Sequence, residues 1–132
     1  MSLVYPKQQS DMVKSMLSIY NESGWLPKWE LNATETTTMV GDPAGIVIAD
    51  TYLRGIQDFN IEKAYRAMIK SATQLEKNAL RPGIKEYTEK GYLTTASTKS
   101  GSVSATQEYN TSDFAIAQLA KVLGKKEDEQ FY

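Results

Sequence analysis

The sequence predicts an all-α chain of antiparallel helical hairpins with little or no sheet. Three observations carry that expectation. Apolar residues recur at helical spacing along several segments. Cap and N1 residues stand where those segments begin. Gly24, Gly55, Gly91 and Gly124 stand where they end.

Between Gln8 and Tyr20, Ser10 and Asp11 are the cap candidates. Val13, Met16, Leu17 and Tyr20 fall at i, i+3, i+4 and i+7, on one helix face that Gly24 closes. Residues 25–30 (Trp-Leu-Pro-Lys-Trp-Glu) have no helical period and read as an ordered loop, which residues 34–38 extend or continue as a short strand. Gly41-Asp42-Pro43 is a helix start, with Asp42 as N-cap and Pro43 pre-set for N1. That helix runs to about Arg54, and its apolar stretch 45–49 marks packing on more than one side. Asn60 caps the next, whose stripe is Ile61, Ala64, Tyr65, Met68, Ile69, Ala72 and Leu75. Arg81-Pro82-Gly83 opens a short helix through Tyr87 that stops at Gly91, before a Ser/Thr-rich loop from Thr94 to Ser102. A long helix follows from about Val103 to Leu123, with an interruption expected near Asn110-Thr111-Ser112.

With 132 residues and a mass of 14.7 kDa, the chain suffices for one domain exposing roughly 7,000 Å² when folded. Apolar residues make up 41% and charged residues 23%, as in ordinary globular proteins. The net charge of −1 provides no basic excess for a phosphate backbone, which argues against nucleic acid as a partner. With no Cys and no His, thiol and imidazole chemistry, disulfides and Cys/His zinc sites are excluded. Acid–base work must fall to Asp, Glu, Lys or Tyr, and any metal must be a hard ion held by oxygen. The longest apolar run, Ala44 to Ala49, is far short of a membrane span. Met1-Ser2-Leu3 reads as an expression leader. Residues 126–132 look like the first turns of a further helix, acidic at its start as the dipole prefers. Seven residues hold no helix without partners, so residues 4–132 read as a fragment cut at its C-terminal end.

Among chemistry-bearing residues, Trp25, Trp29 and Glu30 share one loop. A flat aromatic face beside a carboxylate suits a pyranose ring. The plainer reading is that both indoles anchor the loop on the core. Asp42 reads as an N-cap whose second oxygen remains free for a ligand. Asp50 is expected near the core, as an ion pair with Arg54 at i+4 or as a ligand contact. Glu108 and Asp113 sit about 140° apart around a regular helix and do not share a face unless the helix breaks at residues 110–112; as a catalytic pair they are weak, and at least one is expected in solvent. The run from Lys125 to Glu129 reads as a solvated face.

Several strings, taken in series, resemble the bacterial α-mannosidases of glycoside hydrolase family 92. They are residues 25–29 (WLPKW), 39–43 (MVGDP), 48–56 (IADTYLRGI) and 58–60 (DFN). Arg81-Pro82-Gly83 with Tyr87 and Gly91-Tyr92 follow, then Ser102-Val103-Ser104, Glu108-Tyr109 and 113–120 (DFAIAQLA). Their order and spacing match from about Gln8 to Phe131. Gln107 and Asn110-Thr111-Ser112 depart from the family pattern.

The resemblance implies a partial (α/α)6 toroid and an inverting, Ca²⁺-dependent exo-α-mannosidase acting on α-1,2-linked mannosides. An inverting acid and base stand about 6.5–9.5 Å apart, and the resemblance implies that both lie beyond Tyr132. Trp29, Asp42 and Glu108 are then the residues expected to approach the sugar, Asp42 foremost. Expected partners are an α-mannoside oligosaccharide or N-glycan, the remainder of the parent chain, and a second copy through an exposed apolar face. The parent is expected to be exported from a bacterium. The fragment alone is expected to be inactive. The alternatives are another toroid glycosidase and a non-enzymatic helical interaction module.

Overall fold

Pro6, whose missing N–H suits a first helical turn, opens α1 (Pro6–Ser23) in the computed structural model, which describes residues 1–32, 34–98 and 101–132. The helix therefore starts one turn before the expected Ser10-Asp11 cap. Both residues are interior to it: Asp11 pairs with Lys7 at 2.8 Å, while Ser10 is buried and donates to the Asp58 carbonyl at 2.9 Å. The neighbouring Gln9 is buried as well, its Nε2 donating to Thr51 Oγ1 at 2.8 Å. Gly24 ends the helix in the left-handed conformation, φ 78°, its N–H on the Tyr20 carbonyl.

The loop beyond Gly24 folds into a two-residue antiparallel ribbon, β1 (Glu30–Leu31) with β2 (Thr34–Glu35), in which Glu30 pairs with Glu35 and Leu31 with Thr34. Then come α2 (Pro43–Leu53), α3 (Ile61–Thr73), α4 (Ile84–Lys90), α5 (Ser102–Val122) and α6 (Lys126–Phe131). Asn60 caps α3 as its position foretells, Oδ1 accepting from the Lys63 N–H at 2.9 Å. Leu75, counted into the α3 stripe from sequence, lies past the end of the helix and is exposed.

The core forms where α2 packs on α5, with α1 and α3 beside them. Val13, Leu17, Leu26, Ile48, Met68, Leu80, Ile116 and Leu119 are its largest buried aliphatic members. Small residues Ala44 and Ala49 of α2 and Ala115 and Ala120 of α5 are buried in this core, and Gly45 faces Met68 of α3, whose Cγ lies 3.5 Å from where a Cβ would stand. A second, smaller cluster of Leu93, Ala105 and Tyr109 sits under the loop after α4. Glu86 organises that loop, accepting from the Thr94 N–H at 3.0 Å, the Thr94 hydroxyl at 2.9 Å and the Ser97 hydroxyl. Of the Ser/Thr-rich stretch, Lys99 and Ser100 lie outside the described residues.

Three further expectations are corrected. Helix α5 runs unbroken through Asn110-Thr111-Ser112, because Ser112 is small enough to be buried there and Thr111 Oγ1 donates back to the Gln107 carbonyl at 2.9 Å. Asp50 is exposed and not near the core, and its pairing with Arg54 holds, at 2.8 Å. The charged run at the C-terminal end is more than a solvated face. Asp128 accepts from the Tyr65 hydroxyl at 2.5 Å, Lys125 pairs with Glu62 at 3.5 Å, and Tyr132 packs on the core. Those contacts hold α6, too short to persist alone.

The folded chain exposes 7790 Å², more than the roughly 7,000 Å² that its mass predicts. Part of the excess is apolar: Leu75, Phe114 and Phe131 are 49%, 62% and 70% exposed. They line a groove of about 730 Å³ between α3, α4, α5 and α6.

Candidate functional site

Glu35 shapes the loop that carries Trp29. Its carboxylate accepts from the backbone N–H groups of Lys28 at 2.6 Å, Trp29 at 3.0 Å and Thr37 at 2.7 Å. Partial burial pushes its carboxyl up, and the three N–H donors with the Lys28 charge outweigh that, so the net shift is below the ordinary range. The two indoles divide the alternatives left open by the sequence. Trp25 anchors the loop: it packs on the core with Lys70 Nζ 4.4 Å from its ring centroid. Trp29 is 49% exposed and presents a free aromatic face. Between them Lys28 is buried, Nζ donating to the Leu80 carbonyl at 2.7 Å, and burial pushes its ammonium down against the pull of Asp42 and Glu35.

Asp42 stands at the N-cap position of α2, but its side chain makes no capping bond. Oδ2 instead accepts from Ser71 Oγ on α3 at 2.6 Å and from Arg81 Nε at 3.0 Å. The Asp42 side chain is 6% exposed, so the residue ranked first for sugar contact is committed to a buried ion pair. An N-cap bond satisfies one backbone donor, whereas turning inward brings a second carboxylate to the buried guanidinium that Asp113 also pairs.

Arg81 is the centre of the arrangement. Fully buried just before α4, it donates from Nη1 to Asp113 Oδ1 at 2.6 Å, and its guanidinium lies 5.2 Å from the Tyr109 ring centroid. Burial pushes its pKa down, and the Asp42 and Asp113 carboxylates more than reverse that, so the guanidinium stays charged. Tyr87 completes the far side, its hydroxyl on Asp113 Oδ2 at 2.8 Å and Asn110 Oδ1 at 2.7 Å. Burial, then the Asp113 carboxylate, raises the Tyr87 phenol well above its usual range, so it serves as a donor. Tyr109 stacks edge-on against Tyr87 at 5.3 Å and donates to the Pro82 carbonyl at 2.9 Å. Asp42 Oδ1, Arg81 Nη2 and Ser112 Oγ are buried without a hydrogen-bond partner among the described residues.

Glu108 lies one residue before Tyr109 inside α5, half-buried, and its carboxylate has no hydrogen-bond or ion-pair partner among the described residues. Its stem lies against Gly41, where an added Cβ would come 2.7 Å from Glu108 Cβ and 3.0 Å from Oε2. Gly41 also lines a cavity of about 400 Å³ with Lys28, Thr37, Pro82, Ala105 and Tyr109. Trp29 and Glu108 are thus sequence neighbours of two residues, Lys28 and Tyr109, that line one hollow. The structure brings Glu108 against Gly41, while Asp42, the next residue, turns its side chain away to Ser71 and Arg81; Trp29 and Glu108 themselves do not line the cavity, which takes Lys28 and Tyr109 instead.

Asp113 belongs to the buried cluster and not to solvent, its side chain 13% exposed. Sequence reasoning passed over Ser71, and it placed Arg81 in a helix start and Arg81 and Tyr109 in the strings of the resemblance without giving either a role in the site. No period marks a lone charge before a Pro-Gly turn. For calcium the residues do not fit: among the described residues no three or more Asp, Glu, His or Cys group around a point. Asp42 and Asp113 are both paired with Arg81.

Over residues 1–132 the chain matches the family described as the glycosyl hydrolase family 92 catalytic domain. It is 30% identical over 134 residues to an uncharacterized secreted glycosidase of Arthroderma benhamiae, covering 92% of this chain and 17% of that protein. A family GH92 α-mannosidase from Bacteroides thetaiotaomicron, solved in complex with mannoimidazole, superposes with a TM-score of 0.85 at 35% identity, over 95% of this chain and 16% of that one. A family GH92 inverting mannosidase from the same organism superposes with a TM-score of 0.84 at 30% identity, over 97% of this chain and 18% of that one. The chain therefore spans less than a fifth of the length of these relatives.

Proposed function

This chain belongs to glycosyl hydrolase family 92, and from that premise we propose that it forms one part of the sugar-binding wall of an exo-acting, inverting α-mannosidase. One observation carries the reading. Beside a cluster in which Asp42 and Asp113 are both consumed by Arg81, Glu108 keeps a carboxylate with no partner among the described residues. Such a group is free to accept hydrogen bonds from sugar hydroxyls. Trp29 supplies an exposed face for the apolar side of a pyranose. Asp42 contributes indirectly, through its pairing with Arg81, and its buried Oδ1 has no hydrogen-bond partner among the described residues.

The substrate we propose is an α-1,2-linked mannoside, in an oligosaccharide or an N-glycan. The helical hairpins would form part of an (α/α)6 toroid whose remaining helices belong to the same polypeptide and cover Leu75, Phe114 and Phe131. Calcium dependence is proposed for the whole enzyme, with its ligands outside the described residues of this chain. The acid and base are assigned beyond Tyr132, and export from a bacterial cell is proposed. The description of the fungal relative as secreted supports export.

The test is mannose release from α-1,2-mannobiose by a polypeptide of full family length, with and without chelator, using the 132-residue chain as the blank. Chelator-sensitive release by the long polypeptide alone is the expected result. No release from any α-mannoside would overturn the substrate proposal. A Glu108→Gln variant locates the role of that carboxylate: a raised KM fits sugar contact. A collapsed kcat at unchanged KM would make Glu108 the acid or base and overturn the assignment of both beyond Tyr132.

A further inference from the structure

We propose that Arg81 is a positioning residue that acts through Glu108, an inference that rests on the reading of this face as a sugar-binding wall. The argument starts from what holds Glu108 in place. Its carboxylate has no bond of its own among the described residues, so its location is set by the α5 backbone on one side and by the wall at Gly41 on the other. These two sides come from segments far apart in sequence, and Arg81 joins them. Nε holds Asp42, the residue after Gly41, at 3.0 Å. Nη1 holds Asp113 on α5 at 2.6 Å, and Arg81 Cζ lies 5.2 Å from the ring centroid of Tyr109, the residue after Glu108. The contacts close a ring through Gly41, Asp42, Arg81, Tyr109 and Glu108.

Only a guanidinium closes this ring. Its planar fork reaches two carboxylates in different directions while a face stays on the tyrosine, whereas an ammonium is a point charge on a flexible stem. Severing the ring frees the 41–42 turn to move away from Glu108. A misplacement of about 1 Å at a catalytic or binding group costs on the order of 100-fold in rate.

The experiment is a double-mutant cycle in the full-length polypeptide with Arg81→Met, Glu108→Gln and the pair, each assayed on α-1,2-mannobiose well below its own unfolding midpoint. Arg81→Lys is the milder variant, expected to fall between wild type and Arg81→Met. The expected result is a kcat/KM loss of about 100-fold for Arg81→Met that largely vanishes in the Glu108→Gln background, because both changes disable one unit. Additive losses would overturn the proposal, as a purely structural Arg81 lowers activity whatever stands at 108. Hydrogen exchange on the same proteins provides the readout that does not depend on turnover. Loss of amide protection in residues 39–42 and 105–113 of Arg81→Met, with no such loss in an Arg54→Ala control, supports the tether. Unchanged protection overturns it. A wild-type polypeptide silent on every mannoside would instead remove the sugar-wall reading, with exchange still deciding whether Arg81 holds the two segments together.

Discussion

Replacing Gly41 by alanine tests the contact on which the site is built. Two costs add at this position. The backbone is left-handed, φ +79°, which penalises any residue with a Cβ by about 1–2 kcal/mol. The new methyl would also stand 2.7 Å from Glu108 Cβ. That atom is fixed by the α5 backbone and has no rotamer through which to withdraw, so either α5 or the 41–42 turn must shift, at about 1–3 kcal/mol for an overpacked site. The sum is roughly 2–5 kcal/mol. Gly55 is the matched control: its φ is +84°, and an added Cβ there meets nothing within 4 Å. Gly55→Ala should therefore cost only the backbone part, about 1–2 kcal/mol. Urea denaturation of both variants, read at equal slope, gives the difference directly. If Gly41→Ala destabilises no more than Gly55→Ala, the close packing of the loop on Glu108 is refuted, and the reasoning about Arg81 loses its geometric basis.

Other outcomes follow from the same contacts. The Glu86 carboxyl is held down from 4.5 to about 2 by Lys90, then by Ser97 and the Thr94 N–H. A depressed folded-state pKa means that its contribution is complete above the unfolded value of 4.5 and is lost as pH falls through about 2. The difference in urea midpoint between wild type and Glu86→Gln should accordingly be widest above pH 4.5 and close toward pH 2, and a pH-independent gap would contradict the network. Glu35→Ala releases the N–H groups of Lys28, Trp29 and Thr37. In a Trp25→Phe background, where Trp29 is the sole indole, acrylamide should quench its fluorescence faster, with about 1–3 kcal/mol lost in stability; unchanged quenching would mean that the loop is held by other contacts. Phe114→Glu places a charge on the exposed groove and should reduce self-association of the 132-residue chain in light scattering, whereas an unaltered mass distribution would place any association elsewhere.

The elements were legible in sequence wherever the deciding interactions lie within a few residues. Asn60 caps α3 through Lys63, Gly24 and Gly91 stop their helices in the left-handed conformation, and Pro43 opens α2. Helical periodicity found core residues of α1 and α3, because burial of one face is a local pattern, and the all-round apolar stretch 45–49 marked α2 as packed on more than one side. The family, too, was readable from short strings in series, as the match over residues 1–132 bears out. Where the local signal misled, a tertiary partner was the cause. Ser10 looked like a cap until Asp58 offered it an acceptor inside the fold, and α5 looked broken at a polar triplet that in fact has Tyr87 and the core to receive it.

The sequence by itself determined a helical chain, free of thiol and imidazole chemistry, of glycosyl hydrolase family 92. Tertiary structure alone decided which carboxylates remain available. Spacing along the chain does not say which of Asp42, Glu108 and Asp113 is taken up inside the fold, and the fate of Asp42 is set by Arg81 and Ser71, which lie 39 and 29 positions from it in the chain. A buried guanidinium must be neutralised by whichever anions the packing brings to it. It takes Asp42 and Asp113 and leaves Glu108 free, a distinction that no periodicity encodes because it depends on directions in space rather than on spacing along the chain.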